Sequence, residues 1–242
     1  QDFKNFEWIV ANDGSIDETH TLITSLAPNL SFPVKYIDSS LRVGKSKMDN
    51  LLLDNVSGKF ILWCDSDDYL KKNILNKFYI IITQSQEIDF DALIGIFGVN
   101  DGTDGVLQTH FKNNVIPENG VYNYETLENM ISGDSTIVVR SSLFNERRFP
   151  EVDFLTIESV LLRDIYKKKS FFFTNEVVKT MDRSAENSIS HGKKLQYCRG
   201  SSLAIARTLN TKKFNKLSLI SRAKTIINYS RYSLHGDLSL KD

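Results

Sequence analysis

The chain has 242 residues, is 41% hydrophobic and 25% charged, and carries 30 acidic and 30 basic residues. This composition is typical of a globular protein, and the length fits one large α/β domain with or without a helical appendage. Cys64 and Cys198 are far apart, which argues against a disulfide framework or a zinc site and favours a reducing cytosol. No apolar run reaches the ~18 residues of a membrane span, and we see no signal peptide, so we expect a soluble or surface-bound protein.

The zero net charge hides an uneven distribution. Between Asn187 and Gly236 there is no Asp or Glu, whereas ten Lys and Arg residues occur there. With Lys241 set against Asp237 and Asp242, the C-terminal part carries +9 and residues 1–186 carry −9. Such a split indicates that the basic part has a partner of its own.

In chain order, the first hundred residues alternate between short apolar strands and helices. The patterns predict strands at residues 6–11, 34–37, 60–64 and 92–99, and helices at residues 17–26, 45–53 and 70–83. This alternation is typical of a doubly wound α/β fold. The Asn-, Asp- and Gly-rich residues 100–105 predict a turn. Further along, the patterns predict helices at residues 124–131, 141–147 and 157–169, a strand at 136–140, an extended stretch from 171, and helix from Lys193 to Leu234.

An acidic cluster follows one predicted strand directly. The apolar run Phe60–Cys64 ends in Asp65, Ser66, Asp67 and Asp68. Ligands of open α/β sheets bind at the carboxyl ends of strands, and hard carboxylate oxygens suit Mg²⁺ or Mn²⁺. The alternative is a solvated acidic turn that caps the next helix.

Three further segments carry polar groups at strand or helix ends. Asp13 lies in the turn Asn12–Ser15, where its carboxylate can accept hydrogen bonds from a nucleobase or ribose; the alternative is a plain Asx turn. Lys45 follows Gly44 and opens a helix, where it can lie near a phosphate or simply be solvated. The third segment runs from Arg148-Phe149-Pro150-Glu151 to Glu158, which lies at a predicted helix start. A carboxylate at such a place is normally there because the helix dipole stabilises it, and this is the ordinary explanation for Glu158 taken alone.

Together, ANDGSIDET, GKSxxxN, GKFILWCDSDD and FPEVDFLTIES resemble, in order and spacing, the motifs of the family 2 glycosyltransferases. The resemblance covers residues 1 to about 190 and is strongest through Asp68. It implies a GT-A (Rossmann-like) mixed sheet flanked by helices at residues 1–190, with a nucleotide-binding part at about 1–100 and an acceptor part at about 101–190. Residues 191–242 would form a basic helical extension. Family members begin with a strand before the segment that matches Phe6–Ala11, so we expect the natural protein to be longer at its N-terminus.

The resemblance also implies roles for individual residues. Asp13 would hold the base of a nucleotide sugar and Lys45 would lie near the base or the diphosphate. Asp65, with Ser66 beside it, would contact the nucleotide sugar at the ribose. Asp67 would bind the Mg²⁺ or Mn²⁺ ion that bridges the two phosphates.

An inverting transfer also needs one general base. Many members use the Asp of a Glu-Asp pair at a helix start, whereas this chain has Ser159 at that place. In another branch the Glu stands alone, which makes Glu158 the candidate base. Glu151 and Asp153 are the fallback candidates. His110 and His191 are candidate metal ligands, but an ordinary surface or loop position is the favoured interpretation for both.

The predicted function is therefore metal-assisted, inverting transfer of a sugar from a nucleotide-sugar donor, most frequently a UDP-sugar in the family, to a glycan or lipid-linked acceptor. Polysaccharide or cell-surface glycan synthesis in the cytoplasm is the expected setting. Two alternatives remain open, a nucleotidyltransferase and a non-catalytic nucleotide-sugar-binding module. No nucleic-acid partner is indicated.

The basic C-terminal part contains apolar residues at helical spacing, among them Leu219, Ile220, Ile226 and Ile227. Arg222, Lys224 and Arg231 occupy the remaining turns. This pattern is typical of a helix that lies on an anionic membrane surface, which would place the enzyme at the inner face of the membrane. The alternative, slightly favoured at this point, is that the apolar stripe packs on the catalytic domain.

Overall fold

The computed structural model describes residues 1–84, 89–90, 92–151, 158–184, 198–210, 214–215 and 217–236. The candidates Asp153 and His191 lie outside these residues. In chain order the strands are β1 Trp8–Asp13, β2 Val34–Ser39, β3 Phe60–Leu62, β4 Asp68–Leu70, β5 Gly95–Gly102, β6 Thr109–Phe111, β7 Gly120–Asn123, β8 Ile131–Gly133, β9 Ser135–Arg140 and β10 Ser170–Met181. The α-helices are α1 Thr19–Leu26, α2 Lys45–Asp54, α3 Ile74–Gln84, α4 Tyr124–Met130, α5 Ser159–Tyr166, α6 Cys198–Leu209 and α7 Leu219–His235.

A mixed sheet forms the centre of the molecule. Its strand order is β3-β9-β5-β10-β4, and β7 also pairs with β10. β5 and β10 are parallel, whereas β9 runs antiparallel to both β3 and β5. The parallel strands β1 and β2 form a separate pair, as do the antiparallel strands β6 and β8. The predicted mixed α/β sheet flanked by helices is confirmed, and it takes strands from both halves of the chain.

The sheet is covered on both faces. Along β10, Phe171 and Phe173 join one apolar cluster while Phe172 joins the other, because successive strand residues point to opposite faces. The first cluster also contains Leu127 of α4 and Ile165 of α5, and the second contains residues of α3. Burial on both faces explains why β5 is buried along its whole length.

Several predicted boundaries were wrong for identifiable reasons. β1 begins and ends two residues later than predicted, so Asp13 is its last residue. The helix predicted at residues 70–83 begins only at Ile74, because Asp68–Leu70 pairs with β10 as a short strand. The helix predicted at residues 141–147 is a single 3₁₀ turn, Ser141–Phe144. Strands β6, β7 and β8 were not predicted.

The turn predicted at residues 100–105 was wrong in its first half, because β5 continues to Gly102. The side chain of Asn100 is buried there and accepts a hydrogen bond from the Thr136 hydroxyl at 2.7 Å. Its backbone N–H donates to the Thr109 hydroxyl at 2.9 Å. Polar residues that normally indicate a turn are therefore accommodated in a strand by a buried hydrogen-bond network.

The described part of the C-terminal extension is helical, as predicted. Helices α6 and α7 pack together through polar contacts. The hydroxyl groups of Ser202 and Ser233 lie 2.6 Å apart, and Arg199 Nε donates to the Gly236 carbonyl at 2.8 Å. The large apolar residues of α7 are exposed, so the packing alternative proposed from the sequence is wrong for the described chain. No helix in the described ranges is long and apolar enough to cross a membrane.

A buried ion pair fixes the turn between β3 and β4. Asp68 on β4 pairs with Lys179 on β10, and their side chains are only 4% and 10% exposed. Burial raises the pKa of Asp68, while Lys179 opposes the rise. Asp68, the last acid of the Asp65–Asp68 cluster, is thus engaged with the sheet, whereas Asp65 and Asp67 lie in the turn that precedes β4.

Replacing one member of this pair should be costly. We expect Lys179→Met to lower the free energy of unfolding by about 3–5 kcal/mol, because it leaves a buried carboxylate without its cation. Denaturation in urea measures the change. The matched control is Lys77→Met, which removes an exposed pair with Glu176 (2.6 Å) and should cost about 1 kcal/mol or less. Equal losses in the two variants would contradict a buried anchor.

Candidate active site

The predicted site residues come from three elements that meet beyond the carboxyl end of β3. The turn at residues 63–67 follows β3, the N-terminus of α2 begins with Lys45, and Glu158 occupies the N-cap position of α5. The end of β1, with Asp13, contacts the residues that lead into α2.

Asp13 holds the entry to α2. Its carboxylate accepts hydrogen bonds from the backbone N–H groups of Val43 at 2.6 Å and Gly44 at 3.0 Å. Gly14 has φ +67°, and a Cβ there would lie 2.7 Å from the Arg42 nitrogen, so only glycine allows this close approach. In this structure Asp13 therefore bonds to backbone groups, and its predicted role toward a nucleobase stays a prediction.

The ammonium group of Lys45 brings three carboxylates together. Lys45 Nζ lies 3.1 Å from Glu158, 3.4 Å from Asp65 and 3.8 Å from Asp49. The Glu158 and Asp65 side chains are about half exposed, at 49% and 57%, whereas Asp49 is only 7% exposed. The predicted base and the predicted donor-binding acid thus share one cation at the surface, and Asp49 lies beneath them.

Two pKa values in this cluster are shifted. Burial would lower the pKa of Lys45, but the carboxylates of Glu158, Asp49 and Asp65 raise it above its ordinary value, which keeps the ammonium charged. Burial raises the pKa of Asp49 to about 6; Lys45 opposes this, and the negative charges of Glu158 and Asp65 add to it.

Asp65, Ser66 and Asp67 form an accessible acidic turn. Asp65 and Ser66 are exposed and Asp67 is half-buried. Among the described residues, no group of three or more His, Cys, Asp or Glu side chains could by itself hold a metal ion. Mg²⁺ and Mn²⁺ do not need such a cage, because they are commonly held by one or two carboxylates together with substrate phosphates and water. The hard oxygens of Asp67 and Asp65 fit that mode of binding.

A clamp built on Asn50 joins α2 to the segment that leads toward Glu158. Asn50 Nδ2 donates to the Phe149 carbonyl at 3.0 Å and to Glu151 Oε1 at 3.1 Å, and Asn50 Oδ1 accepts from the Phe149 N–H at 2.8 Å. Glu151, the fallback base, therefore contacts Asn50 and lies outside the Lys45 cluster. No role was predicted for Asp49 or Asn50. Lys45 and Asp49 are one helical turn apart, and this spacing could have indicated that Asp49 contacts Lys45.

Two features lie away from this cluster. His110 is exposed on β6 and belongs to no candidate metal group in the described chain. A cleft of about 250 Å³ lies at the opposite, C-terminal end of α2, where Asp54, Phe144 and Arg148 line it. It contains none of the predicted site residues.

Comparison with known proteins identifies the family of the chain. Residues 1–148 match the family model described as Glycosyl transferase family 2, so the chain belongs to that family. Membership of this family favours sugar transfer over the nucleotidyltransferase alternative. The matched residues include Asp13, Lys45, Asp65 and Asp67 but end before Glu158.

Similar curated proteins are bacterial glycosyltransferases. One is the GalNAc(5)-diNAcBac-PP-undecaprenol beta-1,3-glucosyltransferase of Campylobacter jejuni, 27% identical over 173 residues, which are 71% of this chain and 54% of that protein. Another is the poly(ribitol-phosphate) beta-N-acetylglucosaminyltransferase TarS of Staphylococcus aureus, 31% identical over 156 residues, which are 62% of this chain and 26% of TarS. The chain thus spans about half of the first relative and about a quarter of the second.

Solved structures share the fold. The crystal structure of S. aureus TarS 1–349 superposes with a TM-score of 0.62 at 20% identity, over 96% of this chain and 64% of that one. The mannosyltransferase PcManGT from Pyrobaculum calidifontis, in complex with GDP-Man and Mn²⁺, gives a TM-score of 0.56 at 13% identity, over 85% of this chain and 55% of that one. These likenesses confirm the predicted GT-A fold.

The raised pKa of Asp49 predicts a pH dependence. The folded chain holds the Asp49 proton more tightly than the unfolded chain, so this residue costs stability as pH rises from about 4 through about 6. We therefore expect the free energy of unfolding of Asp49→Asn to increase relative to that of wild type by about 2–3 kcal/mol as the pH is raised from ~4 to ~7. Urea denaturation at both pH values measures the difference. Lys47→Gln, an exposed change on the same helix, is the control. A stability difference between wild type and Asp49→Asn that does not vary with pH would contradict a buried, costly carboxylate.

Proposed function

We propose that this chain carries out metal-assisted, inverting transfer of a sugar from a nucleotide-sugar donor to a glycan or lipid-linked acceptor. A UDP-sugar is the favoured donor, and the product would enter a polysaccharide or a cell-surface glycan. Membership of the glycosyltransferase family supports the reaction class. The donor, the metal and the stereochemistry are the parts that we propose.

One observation carries the proposal. Lys45 Nζ contacts both Asp65, in the acidic turn after β3, and Glu158, at the start of α5. Donor binding and proton removal must occur within a few ångströms of each other, because the acceptor attacks the carbon that the nucleotide leaves. A single cation between the candidate donor-binding acid and the candidate base supports that proximity.

The donor would lie along the turn at residues 65–67. Asp65 and Ser66 would contact the nucleotide sugar, Asp13 would lie toward the base, and Lys45 would offset part of the diphosphate charge. Asp67, with Asp65 beside it, would hold Mg²⁺ or Mn²⁺. When bound, such an ion neutralises charge that develops on the departing diphosphate. The preference for UDP is supported by the likeness in fold to TarS, which has also been solved in complex with UDP, at a TM-score of 0.60 and 18% identity.

Glu158 would act as the general base. Its carboxylate is half exposed and so accessible to an acceptor hydroxyl. It would take the hydroxyl proton while the hydroxyl oxygen bonds to the anomeric carbon. The bond from that carbon to the nucleoside diphosphate breaks on the opposite face, which inverts the configuration. Lys45 would hold the carboxylate in place until the donor arrives.

The names of the relatives and the charge distribution support the proposed acceptor and location. The C. jejuni relative is named for an undecaprenol-linked glycan, and TarS is named for poly(ribitol-phosphate). Such names support an acceptor that is a lipid-linked glycan or a cell-surface polymer. We therefore place the reaction in the cytoplasm at the inner face of the membrane, with the basic C-terminal part as the membrane contact.

The metal assignment can be tested by donor binding. In the full-length protein, Asp67→Ala should weaken UDP binding by about tenfold or more in the presence of Mn²⁺, because the ion loses its protein ligand. Binding measured calorimetrically in EDTA should change little. Glu176→Ala, an exposed carboxylate change on β10, is the control. Undiminished Mn²⁺-dependent binding by Asp67→Ala would show that the metal ligand lies elsewhere.

The base assignment can be tested by turnover. Glu158→Gln keeps the shape of the side chain but cannot accept a proton, so kcat should fall by about 10²–10⁴-fold while donor binding is retained. Glu151→Gln is the matched control and should stay near wild-type turnover. If Glu151→Gln loses turnover and Glu158→Gln does not, the base is Glu151.

A further inference from the structure

Helix α7 presents its apolar side chains to solvent. Five large ones are prominently exposed: Leu219 at 81%, Ile220 at 70%, Ile226 at 49%, Ile227 at 63% and Leu234 at 75%. Toward α6 lies Ser233, which is 4% exposed and hydrogen-bonded to Ser202, and Tyr229 and Tyr232 are half-buried. An ordinary surface helix has the reverse arrangement, with its apolar face toward the core.

The exposed apolar side chains form one stripe, which the exposed polar residue Ser230 interrupts. At about 100° per residue, Leu219, Ala223, Leu234, Ile227 and Ile220 fall within about 100° of arc, with Ile226 just beyond one border. This stripe, with Ile226, is the outer face of α7. Lys224, Arg231 and His235 fall within the next ~60° on the other border, and all three are exposed. The cations Lys224 and Arg231 thus lie along one side of the apolar surface, with His235 next to them.

The charge of this region indicates which kind of partner could bind the outer face of α7. No Asp or Glu occurs between Asn187 and Gly236, so no acidic side chain of that segment opposes the basic border. A second copy of the same face would bring like charges together, which is unfavourable. An anionic lipid surface complements both properties, because the acyl region accepts the apolar stripe and the headgroups attract the cations.

We propose that the outer face of α7 is a docking surface for an anionic lipid bilayer. The helix lies in the plane of the membrane, with Ile220, Ile227 and Leu234 at the boundary between headgroups and acyl chains. Lys224 and Arg231 lie among the headgroups. This inference rests on the membrane location proposed above and assigns it to specific side chains. Helix α6 holds α7 through the packed polar face, which leaves the outer face available.

Co-sedimentation of the full-length protein with lipid vesicles tests the inference. The probe is phosphatidylcholine vesicles with about one third phosphatidylglycerol, compared with phosphatidylcholine alone, at low and high salt. We expect binding to the anionic vesicles that weakens with salt, because surface charges are screened. The variant Ile220→Gln/Ile227→Gln should lower the partition coefficient by about tenfold or more, and Lys224→Gln/Arg231→Gln should remove most of the salt dependence.

A matched control uses apolar residues that are equally exposed elsewhere. Leu22→Gln/Val106→Gln should bind vesicles like wild type, since Leu22 is 60% and Val106 58% exposed and both lie outside α7. Circular dichroism verifies that each variant keeps its helix content. No vesicle binding by wild type at low salt overturns the inference. Equal binding by wild type and Ile220→Gln/Ile227→Gln also overturns it, as does a wild-type dimer that this variant abolishes, which would assign the face to a second copy.

Failure here is separable from failure of the proposed reaction. The vesicles contain no acceptor, so binding to them does not require sugar transfer. Ile220→Gln/Ile227→Gln should keep Mn²⁺-dependent UDP binding, because the Lys45 cluster lies on other elements. Conversely, Asp67→Ala should bind vesicles like wild type. Loss of one property without the other identifies which proposal is wrong.

Discussion

The arrangement of the site depends on one electrostatic constraint, the partly exposed ammonium group of Lys45. Asp49 lies beneath it, almost without solvent, and a carboxylate is costly in such a place unless a cation is near. Lys45 also contacts Asp65 and Glu158, which come from two other elements. Lys45 can offset the negative charge of all three carboxylates only while the N-terminus of α2 keeps this position. The Asp13 hydrogen bonds to Val43 and Gly44 fix that N-terminus from the other side.

The parts of the fold that the sequence predicted well are those determined by short-range patterns. The strand–turn–helix around Asp13 and the apolar strand before Asp65 each lie within about ten residues, and their turn and cap signals are local. The sequence did not predict the pairing of Asp68 with Lys179, because those residues are 111 positions apart and neither has a local signal for burial. Asn100 is a similar case, since its turn-like neighbourhood is overridden by buried partners contributed by β6 and β9.

The site was predicted as a set of residues, but the contacts within it were not. The family resemblance predicted roles for Asp13, Lys45, Asp65, Asp67 and Glu158, and those roles stay predictions. The structure places Lys45 in contact with both Asp65 and Glu158. Periodicity likewise found the apolar stripe of α7 but could not tell which way it faces. A helical pattern shows which residues share one face of a helix, but not whether that face is buried. In α7 the polar face packs against α6, so the apolar stripe is exposed.

The Asn50 clamp has a consequence for how this protein can vary over evolution. Asn50 uses both its amide donor and its carbonyl acceptor on the backbone of one residue, Phe149. Asp cannot supply the donor, Leu supplies neither group, and Gln carries its amide one methylene too far from the helix. The nearest chemical replacements each leave a buried peptide group without its partner. Position 50 is therefore expected to tolerate almost no substitution, for a structural reason alone.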